Sequence, residues 1–135
     1  MAAKIEGRAR EILEAPNYAI VSIPRPDGSV QSVVVWADLD GDNVRLNSAI
    51  GRKWPANLQQ AKAATVLAMH EGNPYEWVAV EAELIAASTD GADDHIDALA
   101  KKYLNADSYP YRNPAEQRIT FTLSPKRVHY QPPRG

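Results

Sequence analysis

The stretch "NYAIVSIPRPDGSVQSVVVWADLDGDNVRLNSA", Asn17 to Ala49, decides the fold. Three runs rich in β-branched residues, "NYAIVSI", "SVQSVVVWAD" and "NVRLNSA", are separated by "PRPDGS" and "LDGD". Asp27-Gly28 and Asp40-Gly41 supply the positive-φ glycines that hairpin turns favour. The reading is three antiparallel strands in sequence order.

Upstream, Ile5, Ala9, Ile12 and Leu13 recur at helical spacing, so an amphipathic helix precedes the strands and stops before Pro16. Downstream, a short helix opens at Pro55 and runs to about Ala61. "ATVLAMH" reads as a buried strand, "EGNP" as a turn and "YEWVAVEAELIAAS" as a long strand. In that strand Glu76, Val78, Val80 and Ala82 share one face. Trp77, Ala79, Glu81 and Glu83 share the other, which faces solvent. Asp93 to Leu104 forms a second amphipathic helix, started by the acids Asp93 and Asp94. "QRITFTLSP" and "RVHYQ" give one or two closing strands, and "PPRG" a frayed tail.

Six or seven strands with hairpin links and three short helices do not suit a parallel doubly wound sheet, which needs alternating β and α. A small antiparallel barrel is the economical closure, with the helix Asp93–Leu104 over part of its outside. The 135 residues are expected to form one domain, 1–135. A net charge of −2 argues against a general nucleic-acid or anionic-membrane binder. There are no cysteines, so thiolate metal sites and Cys nucleophiles are excluded. That absence fits a cytoplasmic protein. No apolar run is long enough to span a membrane, and "MAAKIEGRAREILEA" lacks a signal-peptide core. His70, His95 and His129 are scattered over a turn, a helix and the last strand, so no metal site is expected.

"GRKW" is the sharpest chemical signal. Arg52 and Lys53 sit just before Pro55, against the positive end of a helix dipole, which is unfavourable by roughly 0.3–1 kcal/mol each. An anion bound there would reverse the sign. Gly51 allows a close turn, Arg52 offers a planar fork for phosphate, Lys53 a point charge and Asn57 an amide. A solvated basic pair is the competing reading. Trp36, Trp54 and Trp77 suit either core packing or stacking on a planar ligand.

"VWADLDGDNVRLNSAIGRKWPANL" followed by "NPYEWVAVEAEL" resembles the pyridoxamine 5′-phosphate oxidase-like superfamily. More narrowly, it is similar to the flavin/deazaflavin oxidoreductases described as F420-dependent. That branch carries a segment Asn-Thr-x-x-Gly-Arg-x-x-x-x-Asn-Leu, matched by Asn47, Ser48, Gly51, Arg52, Asn57 and Leu58, with Ser48 replacing Thr. The similarity extends from "REILEAPNYAIVSI" through "HIDALAKKYL" to "RITFTLSPKRVHY". It implies a mainly β fold, a split antiparallel β-barrel of the FMN-binding kind with a few flanking α-helices. It also implies a homodimer with a cofactor groove between subunits.

Carried over, Arg52, Lys53 and Asn57 take the cofactor phosphate, with Asn47 and Ser48 nearby. Gln31, Ser32, Val33 and Trp36, in "QSVVVW", flank the ring system, and Trp77 approaches from the partner subunit. Many relatives have a Lys where this chain has Trp54, which is therefore placed against the cofactor. The implied cofactor is the deazaflavin F420, with FMN as the alternative. The implied reaction is hydride transfer to a small electron-poor molecule such as an enone or quinone. A non-catalytic cofactor carrier is the reading from another class. Arg25 and Lys62 are candidates for the acidic tail of the deazaflavin. No catalytic residue is singled out; His70, Tyr75 or solvent would supply a proton.

Overall fold

The computed structural model describes residues 2–133. Helix α1 covers Gly7–Glu14, and β1 (Ala19–Pro24) and β2 (Val30–Val35) follow. Next come β3 (Ala37–Asp40), β4 (Asn43–Ala49), α2 (Lys53–Ala61) and β5 (Ala63–Met69). The chain closes with β6 (Trp77–Ser88), α3 (Ala92–Leu104) and β7 (Arg118–Gln131). All seven strands belong to one antiparallel sheet in the order β2-β1-β5-β6-β7-β4-β3.

Both expected hairpins are present. β1 pairs with β2 across a loop containing Gly28 at φ 89°, and β3 pairs with β4 across a turn with Gly41 at φ 62°. The middle run, however, is two strands rather than one. "SVQSVVVWAD" breaks at Trp36, and its halves lie on opposite edges of the sheet. Val35 and Ala37 are two residues apart and can be at most about 7 Å from each other. The sheet must therefore curl until its two edges meet at Trp36. Among the described residues β2 and β3 share no ladder, so the barrel is closed by chain and left split. The curl is assisted by register shifts between β6 and β7, one of them where Pro125, which has no N–H to give, lies opposite Ala82.

Alternation fills the interior. Val21, Ile23, Val44, Leu46, Val66, Val78, Val80, Phe121 and Leu123 are fully buried. Each stabilises the barrel by about 1.5–3 kcal/mol relative to exposure. Helix α1 adds Ala9, Ile12 and Leu13, and Ile5 just before it. The Asn17 amide donates to the Ile12 carbonyl at 2.9 Å and closes that helix before the strands begin. Glu76 shares the inward face of Val78, as read from the alternation, and is buried. Arg8 grips both its oxygens at 2.8 Å, and the Tyr130 hydroxyl donates to it at 2.6 Å. The Arg8 pair, reinforced by Tyr130, holds the Glu76 carboxyl down to about 2.

Two element readings shift. Helix α2 begins at Lys53, so Pro55 is its third residue rather than its first, still within the turn whose N–H groups lack partners. "RITFTLSPKRVHYQ", Arg118–Gln131, forms one continuous strand. The tail "PPRG" falls partly outside the described residues. Among those described, no helix is long and apolar enough to cross a membrane.

Candidate functional site

The Trp36 corner, the end of β4 and the start of α2 surround an open groove with a cavity of about 270 Å³. The 13-residue connection between α3 and β7, 105–117, brings Tyr109 and Tyr111 to it. Connections of this length without secondary structure of their own commonly carry function. Its conformation is set by α3: Asp97 accepts the Tyr109 backbone N–H at 2.8 Å and pairs with Arg112 at 2.6 Å.

The groove is aromatic in part. Trp36 stacks on Tyr103 at 5.3 Å with planes 7° apart, and Tyr103 stacks on Tyr18 at 5.7 Å. Tyr109 meets Trp36 edge-on at 6.1 Å. Ile96 and Leu99 of α3 add apolar lining. Such a surface receives a planar ring.

The groove is also polar and cationic. Ser48, Arg52 and Arg118 line it together with Asn47. Beside them runs a partly buried hydrogen-bond chain. Arg45 donates twice to Asp38, at 3.0 and 2.8 Å, and Asp38 meets His95 Nε2 at 3.0 Å. His95 Nδ1 lies 2.9 Å from the Thr120 hydroxyl and 3.2 Å from the Asn47 amide nitrogen. Asn47 in turn accepts from Arg118 Nε at 2.9 Å. Burial pushes the Asp38 carboxyl up, but its bonds to His95 and Arg45 outweigh that and hold it below the usual carboxylate range. Burial lowers the pKa of Arg118, which as a guanidinium still stays charged. Two buried polar atoms, Ser48 Oγ on the core face of β4 and Arg118 Nη1 on the other face of the sheet, have no hydrogen-bond partner among the described residues.

The structure brings five of the sequence-derived candidates to the groove: Trp36, Asn47, Ser48, Arg52 and Trp54. Trp54 is half-buried, tilted against Phe121 at 5.7 Å. The other six are not among its lining residues. Gln31 and Asn57 bond each other at 2.6 Å. Ser32 is exposed and shares a hydrogen bond with Ser22, while Val33 packs on the core. It is Val34 and Val35 of the same strand that line the groove. Lys53 is exposed in the first turn of α2, and Trp77 packs on His129 at 5.1 Å. His70 and Tyr75, named as proton sources, do not line the groove, nor do Arg25 and Lys62.

Arg52 does not stand free. Glu116 meets its guanidinium at 2.6 Å, which holds the Glu116 carboxyl below its ordinary range. The anion that the Arg52-Lys53 pair calls for at the helix start is thus supplied, for Arg52, by the chain itself.

The residues the sequence reading did not single out are Tyr18, Tyr109, Tyr111 and Arg118. The loop "NADSYPYRNPAEQ" gave a usable signal, two tyrosines, an arginine and two prolines in a long connection. Arg118 gave none, because its place depends on the pairing of β4 with β7.

No family model and no curated protein matches this chain in sequence. Solved structures do match in shape. A structure titled F420 reductase superposes with a TM-score of 0.78 at 23% identity, over 89% of this chain and 94% of that one. A Listeria innocua protein provisionally assigned as a pyridoxamine 5′-phosphate oxidase gives 0.63 at 9% identity, over 84% and 87%. General stress protein 26 from Bacillus anthracis gives 0.66 at 13% identity, over 92% and 91%. These likenesses agree with the resemblance read from the sequence and establish its split-barrel fold.

Proposed function

We propose that the groove holds a flavin-type cofactor, F420 in preference to FMN, and that the protein is an F420-dependent reductase of electron-poor small molecules such as enones or quinones. One observation carries this reading: an open groove whose lining combines the aromatic rings of Tyr18, Trp36, Tyr109 and Tyr111 with the side chains of Arg52 and Arg118. That set suits a planar ring bearing an anionic tail. The fold likeness to a structure titled F420 reductase supports the choice of cofactor.

When bound, a reduced deazaflavin supplies a hydride. The chain's own residues do the rest. Trp36, braced by Tyr103 behind it, orients the ring. Arg52 and Arg118 supply fixed positive charge, and Ile96 and Leu99 exclude water. The protein works as a homodimer, with Trp77 reaching the groove of the second copy. Val30 and Val34, on the outward face of the edge strand β2, are more than half exposed and provide apolar surface for that contact.

The test is oxidation of reduced F420, followed by its absorbance, with and without a quinone or enone. Acceptor-dependent acceleration is expected. Tight binding with a rate that no acceptor changes would make the protein a carrier. Turnover with reduced FMN alone would place it with the flavin enzymes.

A further inference from the structure

Glu116 stands between two arginines. Its Oε2 meets Arg52 Nη2 at 2.6 Å, while its Oε1 is 3.8 Å from Arg118 Nη1, beyond hydrogen-bond reach. The two cations differ in exposure: Arg52 keeps 48% of its side chain in solvent, Arg118 only 9%. Arg118 Nε donates to the Asn47 side-chain oxygen at 2.9 Å, and Nη1 has no hydrogen-bond partner among the described residues. A buried donor left without an acceptor is costly.

The Glu116 carboxylate has room to supply that acceptor. Glu116 and Arg118 line one cavity of about 160 Å³, together with Tyr109 and Arg112. Arg112, the other cation there, is already taken by Asp97 at 2.6 Å and Asp93 at 3.4 Å. The Glu116 backbone is held in place, its N–H donating to the Asn113 carbonyl at 2.9 Å. The next carbonyl, of Gln117, accepts the Ile50 N–H at 2.9 Å. Rotation of the side chain alone, closing the gap by about 1 Å, makes a charge-assisted bond to Arg118.

We infer that Glu116 is a carboxylate switch with two stations, pairing with Arg52 until an oxyanion takes Arg52 and then passing to Arg118 Nη1. The exchange gives up an exposed ion pair, which is weak, and satisfies a buried guanidinium. An incoming anion therefore meets less opposition at Arg52 than a carboxylate with nowhere else to go would offer. The inference rests on the reading that the groove takes its anion at Arg52.

The test titrates the full chain with inorganic pyrophosphate and with F420, followed by tryptophan fluorescence, in Arg118→Gln, Glu116→Gln and the double variant. Arg118→Gln is expected to weaken both ligands about fivefold, because the displaced carboxylate loses its second station. On the Glu116→Gln background the same change costs less than about twofold. Equal losses in both backgrounds would show Arg118 acting on the anion directly and overturn the switch.

Crystal structures of the wild type with pyrophosphate and with F420 guard against a variant that fails to fold. Glu116 Oε1 is expected within about 3 Å of Arg118 Nη1 in both. F420 bound with Glu116 still on Arg52, or turned away from both arginines, would overturn the switch alone. Pyrophosphate bound with Glu116 on Arg118, while neither F420 nor FMN binds, would uphold the switch and remove the cofactor reading. Failure of pyrophosphate and F420 alike to bind would overturn both.

Discussion

Arg52 stands at the N-cap of α2, where the helix dipole is also positive, and Glu116 meets it at 2.6 Å. Any phosphate recruited by Arg52 must therefore displace a carboxylate already there. Glu116→Gln removes the competitor's charge and is expected to tighten F420 or FMN binding severalfold; Glu81→Gln, an exposed acid of β6, serves as the control for net charge. Equal affinity in both variants would show that Arg52 takes no part. At this scale much of the site was legible. The Asn47–Leu58 segment announced Arg52, Ser48 and Asn47 by local spacing. What it hid is that Asn47 spends its polar atoms inside the protein, on partners 45 to 73 positions away, and on Arg118, 71 positions away. Turn chemistry and periodicity report neighbours in sequence; a strand register that brings Arg118 beside Ala49 leaves no local trace.

Helix α3 fastens the Trp36 corner. Lys102 Nζ donates to the carbonyls of Leu13 and Ala37, and the Tyr103 hydroxyl donates to the Asn17 carbonyl at 2.8 Å. The clamp thus ties α1, the β2–β3 corner and α3 into one unit beneath the groove. Burial pulls the Lys102 ammonium down from 10.5 to about 8 and pushes the Tyr103 phenol up from 10.0 to about 12. Between about pH 8 and 10 the unfolded chain keeps a lysine proton that the folded chain has lost, so stability rises with pH. Above pH 10 the unfolded chain loses a tyrosine proton that the folded chain keeps, so that contribution falls. Urea unfolding of the wild type against Lys102→Met should show this rise between pH 8 and 10 in the wild type alone. Matching profiles would contradict the clamp. The helix itself was read almost to the residue, because Ile96, Leu99 and Ala100 recur at helical spacing. Its two clamping side chains were not, since periodicity assigns a face and not a partner. The break at Trp36 was missed for a related reason: β-branched residues continue on both sides of it, and only closure of the sheet demands a corner.

Closure links the whole molecule to its groove. The sheet order puts β2 and β3 at opposite edges while the chain joins them through Trp36, so the split in the barrel and the aromatic side of the groove are built by the same residue. The groove is open, and the edge strand β2 beside it exposes Val30 and Val34. Two copies are expected to cover these surfaces, and sedimentation at micromolar concentration should give a dimer. A monomer that still binds cofactor would contradict the shared groove. Titration of the protein with F420 decides whether this groove is a cofactor site, because Trp36 and Trp54 line it and report occupancy by fluorescence. Saturable quenching by F420, with FMN about tenfold weaker or more, is expected; no saturable response to either cofactor would rule the cofactor site out.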